Sequence, residues 1–532
     1  MSTDSRLGST WLRRTTYTLL IVSSVGTMVG RILDVESKRG DTAMLSANDR
    51  SRWCAIRALG DLGTPYIDQV IRRSDGRRDP EWNTIDKVRH KGHDGKEHYY
   101  SSKPPLLIYM LTGQYQAVKL LTGASLTDHP FNVMRIMLVL TNVLPMILYF
   151  VLLAGLIEKL GTSDWGRIYV MAIATWGTFL TTFSVTINNH LPAAISILIA
   201  TLAAVAVIRD GRRQPWLLAI AGCFSALAVA NELPALSFFA MLGAALLRKA
   251  PRQTMVGFVP GAAVVAAAFF ITNHQTHGSW QPPYLHRHDG PVVAQLPGSV
   301  EADLQTLLIS PALSTALKDQ GTELSSRAVL QRTQQAPGWM VWDPVGQERL
   351  AIRAASHGFD VRQWGNWYEY AGTYWVPKNK RGVDRGEPSR MVYAFHSLIG
   401  HRGILSLTPV WLLSLFGIGI WLRGTDTSLF ALAVMVTTLT VVCLTFYLLM
   451  RPLEDRNYGG VCCGFRWMFW FIPLWTICVL PAADRISDRR WCRGIAWGLL
   501  AASIMSATYA SMNPWAQSWI FDYWTYLEWI QY

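Results

Sequence analysis

Residues 430–450 read FALAVMVTTLTVVCLTFYLLM, 21 consecutive positions without one charged side chain. Wound at 1.5 Å per residue, such a run makes a helix about 30 Å long, the thickness of a bilayer's hydrocarbon core. Working outward, runs of the same kind recur along the whole chain of 532 residues. They predict spans at 15–33, 132–157, 168–187, 191–208, 215–232, 234–248, 254–273, 403–422, 427–450, 467–483 and 494–512. Composition agrees: 50% of residues are hydrophobic and only 16% charged, against about 25% charged in ordinary soluble domains. The expected fold is an all-α polytopic membrane protein with about eleven transmembrane helices. A disordered chain, a collagen and a disulfide scaffold are all excluded.

The net charge of +13 does not make this a nucleic-acid binder. Lys and Arg sit in short clusters between apolar runs, where they mark a cytoplasmic face and attract anionic membrane lipids. The run 15–33 follows Arg13 and Arg14 and lacks a small-residue cleavage pattern, so it reads as a signal anchor with a cytoplasmic N-terminus. The inner connections then hold Lys159, Arg167, Arg209, Arg212, Arg213, Arg248, Lys249, Arg252, Arg423 and Arg485, while the short outer connections at 188–190 and 231–234 hold no Lys or Arg. Two large segments, 34–130 and 274–402, fall outside. The expected organisation is a transmembrane module over 1–273 that includes the outer loop 34–130, a large outer loop over 274–402, and C-terminal helices with an aromatic tail over 403–532. The segment 104–122 carries Thr112, Gln116 and Lys119 on one helical face and Leu111 and Val118 on the other, which suits a helix lying in the interface. The cysteines, 7 in all, are odd in number and lie mostly within apolar runs, so they form no disulfide framework.

Nucleotide machinery is missing from the sequence: there is no phosphate-cradling G-x-x-x-x-G-K-[ST] loop, no G-x-G-x-x-G, no G-x-S-x-G elbow and no H-E-x-x-H. An enzyme built this way takes an activated substrate from the membrane. The first outer segment opens SANDRSRWCAIRAL over 46–59, where Ser46 or Asn48 caps a helix whose first turn holds Asp49. Asp49 there is either a local structural carboxylate or part of a site. Asn is itself a good cap, so Asp49→Asn is expected to stay folded. Further on, residues 87–90 and 97–100 flank Gly92-His93-Asp94-Gly95, a hairpin turn that returns the chain to Lys103-Pro104-Pro105-Leu106.

This order of motifs resembles the GT-C superfamily of membrane glycosyltransferases, in particular the lipid A aminoarabinose transferases and protein O-mannosyltransferases. The resemblance rests on the D-x-S-R-W-x-A-like helix at 49–55 followed by K-P-P-L at 103–106. It continues through Phe131 and Arg135, and through Gly459-Gly460, Gly464-Phe465-Arg466-Trp467 and Pro473. It implies a polyprenyl-phosphate-linked sugar as donor, used on the outer face with inversion at the anomeric carbon. In that reading Asp49 lies near the acceptor as catalytic carboxylate, and Arg52, Lys103, Arg135 and Arg466 hold the donor phosphate. Cations on the phosphate oxygens stabilise the charge that develops as the glycosidic bond breaks, and a carboxylate opposite accepts the proton of the attacking hydroxyl. Arg50 departs from the family's second acidic residue, which leaves a divalent metal an open question; Asp34 and Glu36 are the nearest substitutes.

Two polar clusters interrupt the spans at their outer ends, Asn188-Asn189-His190 and Asn231-Glu232, and polar groups at such depth tend to face a cavity. Asn188, Asn189 and His190 are substrate-binding candidates, and Glu232 is the reserve catalytic base. In the second loop, His274, His277, His286 and His288 invite a zinc hypothesis, but without Cys or a helical H-x-x-x-H pair they lack ligand spacing. Trp364 and Trp367, in WGNWYEY, either stack on a sugar or pack the loop. Aromatics in the tail 513–532, from Trp515 onward, read as an interfacial anchor. The partners expected are a lipid-linked sugar donor and membrane lipids at a cell (inner) membrane, with the acceptor open. Rival readings are an O-antigen polymerase or ligase and a non-enzymatic transporter or flippase of lipid-linked sugars. The latter predicts paired repeats, and none is visible.

Overall fold

The computed structural model describes residues 3–319, 321–333, 338–346, 348–452 and 456–530, with side chains from residue 10 onward except at 312. Among the described residues, seven helices are long and apolar enough to cross a membrane: Thr10–Asp34, Pro130–Leu160, Asp164–Val185, His190–Ile208, Pro251–His277, Thr427–Met450 and Arg466–Ile486. The other four expected spans are helical too, as Pro215–Asn231, Leu236–Lys249, Trp411–Leu422 and Arg490–Tyr509. The chain divides into two compact units, one of residues 1–49, 113–269 and 381–532, the other of residues 50–112 and 270–380.

The first unit holds the apolar helices. No hydrophobic force draws helices together in lipid, so close backbone approach over small residues has to do it. Gly257 and Gly261, four apart on the helix Pro251–His277, supply that approach. A methyl group on either would overlap a carbonyl of the helix Pro215–Asn231, and one on Gly222 would overlap the carbonyl of Phe258. Gly417 does the same against Cys478. The basic connections are knitted by ion pairs at one end of this unit. Arg13 forks onto Glu158 (2.6 Å from both Nε and Nη2) and reaches Asp164, and Tyr17 donates to Glu158 at 2.8 Å. Asp484 accepts from the Thr162 and Ser163 amides at 2.8 and 2.9 Å, tying the last turn of the helix Arg466–Ile486 to the start of Asp164–Val185. Direction is thereby fixed along the helices: Thr186, His190, Asn231 and Glu232 all lie at ends remote from these connections.

The all-α expectation needs one correction, which concerns the second unit. It contains the expected hairpin, β1 (Lys87–Lys91) paired antiparallel with β2 (Glu97–Ser101), with Gly95 at φ +78 in the turn. It also contains an antiparallel sheet that the sequence reading left as loop. That sheet has the order β3 (Val292–Leu296), β7 (Gly358–Gln363), β6 (Glu348–Ala355), β5 (Trp339–Asp343), β4 (Val329–Arg332). Leu296, Val341, Ile352 and Val361 form its inner face, covered by Val300, Leu304, Leu313 and Leu317. Its strands run only four to eight residues and are interleaved with Arg and Gln, so their two-residue period is a weak signal.

Candidate active site

The helix Ala47–Asp61 opens on a capping box. Ser46 Oγ accepts from the amides of Asn48 (3.1 Å) and Asp49 (3.4 Å), and Asp49 reaches back to the Ser46 amide at 2.7 Å. Asp49 is fully buried. Its Oδ1 also accepts from Ser46 Oγ at 2.9 Å, and its Oδ2 accepts from the Leu45 amide at 2.9 Å and Thr186 Oγ1 at 3.0 Å. A carboxylate has about four acceptor positions. Here four donors fill them.

From Thr186 a polar line runs through the unit. Trp515 Nε1 donates to Thr186 Oγ1 at 3.2 Å, and the Trp515 ring carries the Arg466 guanidinium 4.9 Å from its centroid. Arg466 donates from Nε (2.7 Å) and Nη2 to the carbonyl of Gly459, and from Nη1 to His190 Nε2 at 3.2 Å. Gly459 has φ +92, and a side chain there would collide with Arg466, which is why glycine occupies it. His190 Nδ1 lies 2.5 Å from Glu232 Oε1, which also accepts from Asn189 Nδ2 at 2.6 Å. With arginine donating to Nε2, the proton of a neutral imidazole is assigned to Nδ1. Glu232 Oε2 takes no hydrogen bond among the described residues, and neither does the second N–H of each Arg466 Nη. The line therefore ends in an unspent acceptor at one side and unspent donors at the other.

Of the sequence candidates, Asp49, Asn189, His190, Glu232 and Arg466 fall on this line or its branch at Thr186. Asn188 supports it from behind, donating to the carbonyls of Phe183 (3.0 Å) and Thr186 (2.9 Å) and accepting from the Leu191 amide in the first turn of the next helix at 2.9 Å. Arg135 lies elsewhere in the same unit, over the Phe131 ring at 3.8 Å and bonded to the Val35 carbonyl at 3.3 Å. Sequence reasoning missed Thr186 and Trp515. Thr186 carries no motif, and Trp515 was one aromatic in a row assigned to the interface. Asn142, also missed, braces the Ser184 and Thr186 carbonyls at 2.7 and 3.0 Å.

The remaining candidates belong to the second unit. Arg52 is buried on the helix Ala47–Asp61. Lys103 Nζ pairs with Asp86 at 2.7 Å, a partner that the sequence did not suggest. Trp364 is half-buried, whereas Trp367 is core: its ring stacks on His286 at 3.5 Å and on His90 at 3.9 Å. His90 Nε2 lies 3.0 Å from His277 Nδ1, yet the described residues hold no group of three or more His, Cys, Asp or Glu placed to bind a metal. A two-carboxylate metal site does not fit either. Asp49 is saturated by protein donors, Arg50 turns to the Asn83 carbonyl at 3.2 Å, and Asp34 and Glu36 are exposed.

Burial holds the His90 imidazole down to about 3 from its usual 6.5. A base depressed in the folded state contributes stability that is present above its unfolded pKa and lost as pH falls through 6.5 towards 3. Acidification from pH 7 to 5 is expected to cost about 2 kcal/mol from this residue. Thermal unfolding followed by tryptophan fluorescence would check it. His90→Phe keeps the stacking on Tyr100 and Trp367 and should lose this residue's share of the acid sensitivity. An unchanged acid response would remove His90 as its source.

No family model matches the sequence, and no curated protein matches it. Among solved structures, the chain is similar to the Archaeoglobus fulgidus oligosaccharyltransferase in its apo form. That match has 11% identity and a TM-score of 0.40, and covers 94% of this chain and 56% of that one. The same archaeal enzyme with an inhibitory peptide and a dolichol-phosphate gives 11% and 0.40, over 98% and 58%. The S. cerevisiae protein O-mannosyltransferase complex bound to the sugar donor gives 12% and 0.40, over 97% and 92%. The chain thus spans little more than half the length of the archaeal enzyme. Likeness of this grade leaves function to be argued from the chain's own residues.

Proposed function

We propose that this chain is an integral-membrane glycosyltransferase of GT-C type, moving a sugar from a polyprenyl-phosphate donor to an acceptor hydroxyl at the outer face of a cell membrane, with inversion. The observation that carries this reading is the line Arg466–His190–Glu232, partly buried at Arg466, which has open N–H donors at one end and an open carboxylate oxygen at the other. The two ends are separated by no more than 2.5 Å, 3.2 Å and the width of one imidazole. The His190 ring fills the direct path between them, so the reading places the sugar beside the line, on the side of Glu232 Oε2 and the open N–H groups of Arg466. In the step, Glu232 Oε2 takes the acceptor proton. The acceptor oxygen bonds to the anomeric carbon as the bond from that carbon to the phosphate oxygen breaks, and the phosphate leaves with its charge on the Arg466 fork. Attack from the side opposite the phosphate inverts the centre. Asp49 acts beside this line as the carboxylate that fixes Thr186, which the Trp515 indole links to Arg466. Arg52 and Lys103, donor-phosphate candidates by the family resemblance, belong to the second unit, where Lys103 pairs with Asp86.

Placement at the outer face is supported by the Lys and Arg connections, which gather at the helix ends away from the line. Gly298 is exposed, with open space beyond its Cα. Gly298→Cys is expected to react with a membrane-impermeant maleimide in intact cells. Labelling only after permeabilisation contradicts the orientation. The function is tested by reconstituting the full chain in proteoliposomes with a panel of radiolabelled polyprenyl-phosphate sugars. Label moving from lipid to an acceptor, with polyprenyl phosphate released, supports the reading. Label crossing the bilayer still lipid-linked supports the flippase reading instead.

A further inference from the structure

The second unit carries a basic pocket of about 260 Å³ whose lining includes Arg72, Arg78, Lys87 and Arg89 together with Tyr99, Tyr370 and Tyr374. Neither Lys103 nor the stacked histidines line it, and the reaction above does not use it. Its charges are arranged at a cost. Arg72 and Arg78 face each other across an isolated antiparallel bridge, where like charges repel. Their neighbours in the turn are compensated, Arg73 by Asp79 at 4.0 Å and Arg77 by Asp75 at 3.8 Å. Arg72 and Arg78 have no ion pair among the described residues. Gly372, at φ +73, leaves Arg78 Nη2 only 2.9 Å from where a side chain would begin, so the guanidinium lies against the pocket's backbone rim.

Lys87 makes the imbalance deeper. It is 8% exposed, and its Nζ donates to the neutral Asn83 Oδ1 at 2.6 Å. Burial first, then Arg78 and Arg72, push it down to about 8. Arg89 alone has a carboxylate, Glu97 at 3.0 Å, and shares it with Arg349 at 2.6 Å. The Tyr99 ring gathers the cations, lying 5.0 Å from Lys87 Nζ and 5.5 and 5.9 Å from the Arg89 and Arg72 guanidinium carbons. Four cations converge on one small aromatic-walled space, where Glu97 is ion-paired to Arg89 and shared with Arg349, and Asp68 acts on Lys87 without an ion pair among the described residues. An anion would relieve the repulsion, and the tyrosine faces offer a flat apolar surface to a ring. The volume is below the ~300–1,000 Å³ of drug-sized sites and suits one monosaccharide unit.

We propose that this pocket binds an anionic saccharide, a single sugar ring carrying phosphate or carboxylate, with Arg72, Arg78 and Lys87 on the anionic group and tyrosine against the ring. The proposal is independent of the transfer reaction, since its test reads binding alone. Glucose 6-phosphate, titrated calorimetrically into the purified full-length chain in detergent at low salt, is expected to bind with an affinity that falls as salt rises. Arg78→Ala, a change at an exposed side chain, should weaken binding about tenfold or more, and Tyr374→Ala should weaken it too. Glucuronate binding lost in the same variants would assign a carboxylate as an accepted anion. Glucose binding as well as glucose 6-phosphate would overturn the role of the cations. Inorganic phosphate binding as tightly as glucose 6-phosphate would overturn the role of the ring. Equal affinity in Arg78→Ala and the parent chain would overturn the site.

Discussion

Glu232→Gln is expected to lower turnover by about 10²–10⁴-fold, the span for losing a positioned base, while donor binding and the melting temperature stay close to those of the parent chain. The geometry makes this substitution clean. Glutamine keeps an oxygen where Oε1 accepts from Asn189 Nδ2 at 2.6 Å and meets His190 Nδ1 at 2.5 Å. It replaces only Oε2, the oxygen with no described partner, by an NH₂ group that cannot take a proton. Single-turnover transfer from labelled donor lipid, beside a filter assay of donor binding, separates the two effects. Glu232→Ala is a poorer probe, because it also removes the oxygen that accepts from Asn189 Nδ2, at a cost of about 1–3 kcal/mol. A Glu232→Gln chain that transfers sugar at the parent rate would end this residue's candidacy and return the base role to Asp49.

Asp49→Asn is expected to destabilise the chain by about 1–3 kcal/mol. The sequence suggested the opposite, since asparagine caps helices well. The cap, however, is Ser46, and Asp49 is the acceptor that answers it. A backbone amide donates to each of its oxygens, Ser46 to Oδ1 at 2.7 Å and Leu45 to Oδ2 at 2.9 Å. Whichever way an asparagine amide is turned, its NH₂ then faces a backbone N–H that cannot become an acceptor. Asp49→Ala leaves both amides and the Thr186 hydroxyl without this acceptor and should cost more. Thermal unfolding in detergent measures both. An Asp49→Asn chain that melts with the parent but transfers nothing would instead give Asp49 the catalytic role.

The membrane helices were legible because their signal is additive. Eighteen or more apolar residues in a row, as in 430–450, announce themselves without tertiary context. Asn188, Asn189, His190 and Glu232 were legible for the converse reason, as polar groups where an apolar run should have continued. What the sequence could not show is pairing between distant positions. Thr186 joins Asp49 137 positions away, and Arg466 meets His190 276 positions away, by contacts with no periodicity. Asp86, which neutralises Lys103, sits in an unremarked loop, and Trp515 has the composition of an interfacial anchor. The sheet β3–β7 was hidden by short strands whose inner residues alternate with Arg and Gln. Trp367, an equal choice between sugar platform and packing in the sequence, has both faces of its ring covered by histidines.

The central claim is that the Arg466 fork receives the phosphate of a lipid-linked sugar while Glu232 faces the acceptor. A structure of the full chain determined by electron cryomicroscopy in lipid nanodiscs, with a non-hydrolysable polyprenyl-phosphate sugar bound, tests it most directly. The account predicts the phosphate within hydrogen-bond distance of both Arg466 Nη atoms and the sugar's anomeric carbon between it and Glu232 Oε2. A phosphate seated instead at the opposite helix ends, among Arg209, Arg248 and Lys249, with the Arg466–His190–Glu232 line unchanged, would contradict it.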